Sequence, residues 1–370
     1  MSFINFNKEQ KMILVEIKRF ATTELEPIAD EIEKNAIFPK DIIGDLFELG
    51  LLSLIIPEKY GGVGLDLTSL CIAVEELSKV CASIGTILVV NNCMVAYPLM
   101  KYGEDSQKEL YLNKLSNGEI GGFICEPEID LPEDKNEIKN HNNDYTFSGC
   151  RDFVLNGEAG NFFIMPVSIN ELNKFYLIND NTKGLNITKP NLLGIRAAGI
   201  SCFKFEEILL KDDCCFSLSE NYEKVQSEII DLSNICFSAI SLGLAQADLE
   251  ASIKYSKERK QFGRFICEFP MVQEMIAKMK INIETARLLV YDAASKYDSG
   301  QNYSLYSNIA RIYCGDIAVI SGLDAIQIHG GYGYIKDYPV ERYFRDAKML
   351  QALNFTPHII KTNIAKELLK

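Results

Sequence analysis

The sequence predicts a mainly α-helical protein with a β-domain in the middle of the chain. Apolar residues recur at helical spacing from about residue 9 to 111 and again from about residue 225 onwards. Between these parts, short β-branched and aromatic runs alternate with Asn, Asp, Gly and Pro, as strands alternate with turns. The 370 residues, 47% of them hydrophobic, are enough to build more than one core. We therefore expect three domains, at residues 1–120, 121–218 and 219–370.

The N-terminal helical pattern is interrupted once by paired glycines. Its three clearest helical segments are Met12–Phe20, Ile42–Leu49 and Leu70–Val80. The stretch PEKYGGVGLD at Pro57–Asp66 breaks the spacing and predicts a loop between helices.

The middle and C-terminal parts differ in the length of their elements. The runs GGFIC, DYTFSG, FFIMPVSI and KFYLIND predict strands, and the polar stretch Glu128–Asp144 predicts a loop. Long helical segments are predicted at Ile229–Lys257, Pro270–Tyr297, Leu305–Ile328 and Pro357–Leu369.

Composition argues against several classes of protein. Eleven cysteines at irregular spacing, with no C-x-x-C pair, suggest neither a disulfide framework nor a metal site, and reduced thiols fit a cytoplasmic location. The net charge of −13, without a basic cluster, argues against nucleic acid as a partner. No window of about 18 residues is uncharged and apolar throughout, so we expect no membrane span. The stretch MSFINFNKEQ lacks the features of a signal peptide.

Two motifs of the last domain favour a ligand site. Gly330 and Gly331 follow the apolar end of a predicted helix, where backbone without a Cβ allows close approach to a ligand, although a plain helix end and turn uses the same residues. In KERKQFG, Arg259 offers a cation for an anionic group, and Phe262 offers a ring that can stack on a planar one.

These motifs belong to a longer pattern that resembles the acyl-CoA dehydrogenase family of flavoproteins. The resemblance is strongest in GLAQADLEASIKYSKERKQFG and AIQIHGGYGYIKDYPVERYFRDAK and extends over nearly the whole chain. It implies an N-terminal helical domain, a β-barrel-like middle domain and a C-terminal four-helix bundle. It also implies a homodimer or homotetramer that holds FAD at a subunit interface.

The resemblance assigns several residues to the adenosine and pyrophosphate half of FAD. Arg259 matches an arginine that contacts the pyrophosphate, and Phe262 matches a phenylalanine near the adenine. Gln327, Gly330 and Gly331 match a Q-x-x-G-G element that reaches the adenosine from the neighbouring subunit.

The flavin-ring half departs from the family pattern. In CEPEIDLP, Cys125 stands where the family has a threonine and Leu131 where it has a serine. In FVLN, Phe153 can lie against the ring, but Leu155 replaces a hydroxyl expected near flavin N5. Thr356 matches a threonine near the cofactor. Each loss removes one polar contact of about 1 kcal/mol, so we expect FAD to bind with altered redox tuning.

The usual catalytic base is missing. Family members remove the α-proton of the thioester with a Glu while hydride leaves the β-carbon for flavin N5; that position holds Asn354, whose amide cannot accept the proton. An alternative position of the Glu, on the first helix of the last domain, holds Ser233. His358, one helical turn after Asn354, is a candidate base, although it can also face solvent or the adenosine of FAD. We assign Leu131, Leu353 and Phe355 to the substrate channel.

These departures leave three functional hypotheses. The first is an FAD-dependent dehydrogenase of an atypical acyl thioester, such as a hydroxyacyl or aminoacyl group on a carrier protein or CoA. The second is a base-less, non-catalytic subunit that completes the FAD site of an active partner chain. The third is an ordinary acyl-CoA α,β-dehydrogenase with a relocated base. The expected electron acceptor is an electron-transfer flavoprotein or oxygen.

Overall fold

The structure is a computed structural model and has the predicted order of helices, strands and helices. It describes residues 6–125, 136–141, 144–169, 172–217, 222–353 and 357–369. Four residues singled out above, Leu131, Asn354, Phe355 and Thr356, lie outside the described residues.

The N-terminal part is helical as far as residue 116. Its helices are α1 (Lys8–Phe20), α2 (Glu26–Asn35), α3 (Lys40–Glu48), α4 (Leu67–Ser78), α5 (Ala82–Val89), α6 (Tyr97–Tyr102), α7 (Asp105–Gln107) and α8 (Asn113–Ser116). Helix α1 begins with a capping box, because the Asn7 side chain accepts from the Gln10 backbone N–H at 2.8 Å and the Gln10 side chain accepts from that of Asn7 at 3.0 Å. Three π-helical segments, Ala21–Leu25, Val90–Ala96 and Lys108–Leu112, join α1 to α2, α5 to α6 and α7 to α8.

The middle part is a mixed sheet. Its strands are β1 (Gly121–Ile124), β2 (Glu137–His141), β3 (Asp144–Leu155), β4 (Phe162–Ile169), β5 (Leu172–Asn179), β6 (Leu185–Thr188), β7 (Ser201–Leu210) and β8 (Cys215–Ser217). They follow the order β6-β7-β3-β1-β4-β5-β8, with β2 on β3, and β1 and β4 run parallel. Strand β2 lies within the stretch expected as a loop. Among the described strands it pairs only with β3, so it lies at an edge of the sheet. An edge strand tolerates polar residues, and their number led to the prediction of a loop.

The C-terminal part is dominated by three long helices. Its elements are α9 (Tyr222–Glu258), the hairpin β9 (Lys260–Gln261) and β10 (Arg264–Phe265), α10 (Pro270–Asp298), α11 (Ser304–His329), α12 (Val340–Ala352) and α13 (Pro357–Leu368). The sequence did not predict α12 as a helix. Its buried face includes Arg342 and Asp346, so the apolar spacing that marks the other helices is interrupted.

Helix α9 runs through the core and contacts both helical parts. It packs on α4 and α5 on one side and on α10, α11 and α12 on the other. Two helical stretches of the described chain, Ala82–Tyr102 and Tyr222–Glu258, are long and apolar enough to cross a membrane by length and composition, with a mean hydropathy of 1.4. They are 94% and 89% buried inside the protein, as core helices are, so protein rather than lipid covers them.

Candidate functional site

The structure brings Arg259 and the paired glycines together at one cleft. Arg259 directly follows the end of α9, and Gly330 directly follows the end of α11. The two helix ends enclose a cleft of about 470 Å³, which Tyr255, Arg259, His329, Gly330, Gly331 and Tyr332 help to line. A cation and a stretch of open backbone therefore face the same space.

Three features make this cleft suitable for the pyrophosphate and adenosine of a dinucleotide. The Arg259 guanidinium lies over the Tyr332 ring at 5.5 Å and forms no ion pair within the described parts of the chain, so its charge is available to an anion. Gly330 has φ of +60°, which favours glycine. A Cβ at Gly330 or Gly331 would meet no atom within 4 Å, so the backbone is open to a ligand.

The floor of the cleft consists of aromatic rings that the sequence analysis did not single out. The Tyr255 ring stacks on the His329 imidazole with centroids 4.2 Å apart. His329 donates from Nδ1 to the Ala325 carbonyl at 2.8 Å, and burial lowers the pKa of His329. The imidazole is therefore a neutral stacking surface. Tyr255 lies one helical turn before Arg259, and this spacing was the only signal of it in the sequence.

The other two residues predicted to bind the adenosine half are exposed. Gln327 lies exposed on the last turn of α11 and is not among the residues that line the cleft. Phe262, at the tip of the β9–β10 hairpin, has φ of +51° and is 93% exposed. Its ring contacts only the edge of Phe269 among the described aromatic rings, at 6.3 Å. Both side chains point outwards, as residues that serve a neighbouring subunit would.

Of the residues predicted for the flavin ring, the structure describes Cys125, Phe153 and Leu155, which lie at neighbouring ends of β1 and β3. Phe123 pairs with Leu155 and Ile124 with Val154, so the same register places Cys125 opposite Phe153. Phe153 has φ of +55° and its side chain is 48% exposed, which leaves a ring face uncovered. Burial raises the pKa of Cys125 to about 12, so this thiol is protonated at neutral pH. Leu155 lies fully buried in the core.

The two described residues that bear on the catalytic base, Ser233 and His358, lie in different surroundings. Ser233 is fully buried on α9, and its hydroxyl donates to the Ile230 carbonyl at 3.0 Å. His358 is exposed near the start of α13. Asp231, close to Ser233 in sequence, accepts from Ser307 and Asn308 of α11 at 3.2 and 3.1 Å. Burial raises the pKa of Asp231, but these bonds hold it between helices.

Comparison with protein families identifies this architecture. Residues 7–119 match the N-terminal domain of acyl-CoA dehydrogenases, and residues 224–369 match their C-terminal domain. The chain belongs to the acyl-CoA dehydrogenase family. The fold predicted from the sequence is thereby confirmed.

Relatives cover the chain from end to end. An acyl-CoA dehydrogenase of Bacillus subtilis is 31% identical over 376 residues, which is 99% of both chains. The structure of butyryl-CoA dehydrogenase from Megasphaera elsdenii has a TM-score of 0.93 and 29% identity, over 99% of this chain and 100% of that one. The prolyl acyl carrier protein oxidase AnaB has a TM-score of 0.90 and 27% identity, over 98% and 100%.

An acyl-CoA dehydrogenase is an FAD-dependent oxidoreductase, and FAD is the cofactor of this chain. The cleft fits the group: Arg259 would hold the pyrophosphate, and Gly330 and Gly331 would let the adenosine half approach. When bound, FAD supplies a two-electron acceptor for hydride from an acyl thioester.

Proposed function

We propose that this acyl-CoA dehydrogenase oxidises an atypical acyl thioester, a hydroxyacyl or aminoacyl group on a carrier protein or CoA. The observation that carries the proposal is the loss of a carboxylate at both usual base positions, Asn354 and Ser233. Abstraction of an α-proton needs a base with a suitable pKa next to the carbon, and an amide or a buried serine does not supply one.

Oxidation at a carbon that bears oxygen or nitrogen makes a different demand on the site. The carbon loses hydride to the flavin, and the heteroatom loses a proton to an acceptor beside it. An alcohol O–H or an ammonium N–H is more acidic than the C–H of an α-carbon, so water or a weaker acceptor can take its proton. The likeness to a prolyl carrier protein oxidase supports this class of substrate, because that enzyme's named substrate is an aminoacyl group on a carrier protein.

The test is anaerobic bleaching of the flavin by matched thioesters. Butyryl, 3-hydroxybutyryl and prolyl thioesters are each presented on CoA and on a carrier protein, and flavin absorbance is followed. Bleaching by a hydroxyacyl or aminoacyl thioester alone is the expected result. Rapid bleaching by butyryl-CoA would show instead an ordinary α,β-dehydrogenase with a relocated base.

One observation favours a second candidate function, that of a non-catalytic subunit which completes the FAD site of a partner chain. A neighbouring subunit can reach the residues of the adenosine half, namely Arg259, Gly330 and Phe262. The family's hydroxyl-bearing residues at the flavin ring, by contrast, are replaced by cysteine and leucine in this sequence. Released flavin per chain separates the two functions. A chain purified alone that stays colourless with added FAD, but gains it with a paralogue that carries the Glu, would be such a subunit.

The remaining partners are proposed on the same basis. We expect a homodimer or homotetramer in the cytoplasm, reoxidised by an electron-transfer flavoprotein or by oxygen. Solution mass, and the rate of flavin reoxidation with each acceptor, test these expectations.

A further inference from the structure

The backbone of Arg259, the cation of the FAD cleft, is fixed by two hydrogen bonds. Its N–H donates to the Tyr255 carbonyl at 2.9 Å, and its carbonyl accepts from the Ile266 N–H at 2.9 Å. These bonds join the end of α9 to the residue that follows the β9–β10 hairpin. Neither bond restrains the guanidinium, which is separated from the backbone by several rotatable bonds.

The ring of Tyr332 restrains the guanidinium instead. Within the described residues, the Arg259 side chain forms no hydrogen bond and no ion pair. Its guanidinium carbon lies over the Tyr332 ring, 5.5 Å from the centroid, which is within the range of a cation–π interaction. The orientation of this cation in the cleft therefore depends on one aromatic side chain.

Tyr332 is itself held in a short glycine-rich turn. It lies in the 3-10 turn Gly330–Tyr334, and its ring packs against Tyr338 at 5.7 Å and lies 6.5 Å from the Tyr255 ring. A Cβ at Gly333 would lie 2.6 Å from the Ile326 carbonyl oxygen, so the glycine lets the turn lie close against α11. The Tyr332 side chain is 43% exposed and lines the cleft. The turn thus presents a fixed ring to the space where FAD would bind.

This arrangement leaves the guanidinium ready to bind an anion. A guanidinium that lies over a ring uses its face, so its five N–H donors, which lie in its plane, stay free. A long side chain loses rotamer freedom when it binds a ligand, and this loss weakens binding. A ring that already restrains the side chain reduces the loss, which is the general effect of preorganisation.

We propose that Tyr332 is a positioning residue for the cofactor, which holds the Arg259 guanidinium in the orientation that binds the FAD pyrophosphate. Tyr332 acts through Arg259 and not through a contact of its own with FAD. The inference concerns the cofactor site and is independent of which acyl thioester the enzyme oxidises.

The test is a double-mutant cycle on the full-length, FAD-loaded protein. Tyr332→Leu removes the ring face, Arg259→Gln removes the cation, and the double variant removes both. Tyr332→Phe keeps the ring and removes only the hydroxyl. Tyr334→Leu is the matched control, because Tyr334 lies in the same turn, is 80% exposed and does not line the cleft. Bound and free FAD are separated by ultrafiltration over a dilution series, which gives the dissociation constant.

We expect Tyr332→Leu to weaken FAD binding roughly two- to tenfold, the worth of a partly exposed cation–π contact. Tyr332→Phe should stay within about twofold of the wild type, because a phenyl face also attracts a cation. Tyr334→Leu should leave the dissociation constant unchanged. In the Arg259→Gln background, Tyr332→Leu should cause no further loss, because the cation that the ring positions is then absent.

Three results would overturn the inference. An equal loss from Tyr332→Leu with and without Arg259 would show that the ring contacts FAD directly or only supports the fold. A loss in Tyr332→Phe as large as in Tyr332→Leu would assign the effect to the hydroxyl. Unchanged FAD binding in Tyr332→Leu would show that Arg259 needs no positioning. Thermal unfolding checks that each variant is folded, and Tyr332→Met replaces Tyr332→Leu in the cycle if the latter is not.

Discussion

At the scale of single residues, the chain buries a carboxyl group in its core. Asp248 on α9 is fully buried, and neither of its carboxyl oxygens has a hydrogen-bond partner in the described structure. Burial, with a smaller effect of the neighbouring Asp346 carboxyl, raises the pKa of Asp248. The folded chain therefore holds a proton there that the unfolded chain releases at neutral pH.

Replacement of this carboxyl tests that conclusion. Asp248→Asn keeps the shape and removes the proton uptake, so it should raise the free energy of unfolding by about 1–3 kcal/mol at mildly alkaline pH, with less effect in acid. Urea unfolding at two pH values measures the change. Asp180→Asn, at an exposed position, is the control and should leave both values unchanged. A loss of stability in Asp248→Asn would indicate that Asp248 is ionised in the folded chain and accepts a hydrogen bond from a donor.

Arg259 gives a second prediction at this scale. Arg259→Gln removes the unpaired cation of the cleft and should weaken FAD binding roughly tenfold to a hundredfold, the worth of a charged hydrogen bond. Flavin retained per chain after gel filtration is the measurement. Arg264→Gln is the control, because Arg264 lies on the same hairpin over the Phe269 ring, at 4.2 Å, and does not line the cleft. Similar loss of flavin in both variants would show that Arg259 does not bind FAD specifically.

At the scale of elements, the contact between α4 and α9 depends on a glycine. A Cβ on Gly243 would lie 2.5 Å from the carbonyl oxygen of Glu75, so the two helices can approach this closely only without a side chain there. Glu75 also accepts from Tyr291 of α10 at 2.7 Å. Helix α4 of the N-terminal part is thereby joined to both α9 and α10 of the C-terminal part.

A pair of glycine variants measures this approach. Gly243→Ala should cost about 1–3 kcal/mol in the free energy of unfolding, because a rigid backbone must shift to make room. Gly44→Ala, in α3, has no atom within 4 Å of its new Cβ and should gain roughly 0.5–1 kcal/mol from helix propensity. Thermal unfolding of the two variants should therefore shift in opposite directions. A neutral Gly243→Ala would mean that α4 and α9 can separate without cost.

At the scale of the whole molecule, buried polar contacts join the three parts of the chain. The Asp346 side chain on α12 accepts from the Ile195 backbone N–H at 2.7 Å. The Arg196 backbone N–H donates to the Glu33 side chain of α2 at 3.0 Å. The segment after β6 is therefore held by a carboxyl group from each helical part. Burial, followed by the charge of Glu33, raises the pKa of Asp346.

The stability of the whole molecule should depend on pH as a result. Asp346 and Asp248 both have raised pKa values in the folded chain, so their contribution is complete below the unfolded pKa of about 3.9 and is lost as pH rises towards the folded values. We expect the free energy of unfolding to be higher near pH 5 than near pH 8, by about 1 kcal/mol or more. Urea titration of the wild type across this range measures it. Stability that rises over the same range would contradict the assignment.

The sequence by itself determined the order of the elements and the family. The helical spacing of apolar residues in α9, α10 and α11 depends only on the local sequence. The glycines after α11 likewise predict a backbone turn without knowledge of the neighbouring elements. The assignment of position 354, where this chain has Asn, to the base of the family pattern also comes from the sequence and stays a prediction. Helix α12 was missed because Arg342 and Asp346 interrupt its apolar face.

Only the tertiary structure decided which distant side chains meet. The stacking of Tyr255 on His329, the place of Arg311 between α9 and the end of α12, and the unpartnered Asp248 carboxyl each depend on how helices cross. Local spacing fixes the face of one helix but not its neighbour, since packing is set by the shapes of all the surfaces together. The neighbours of these buried side chains could therefore not be predicted from the sequence.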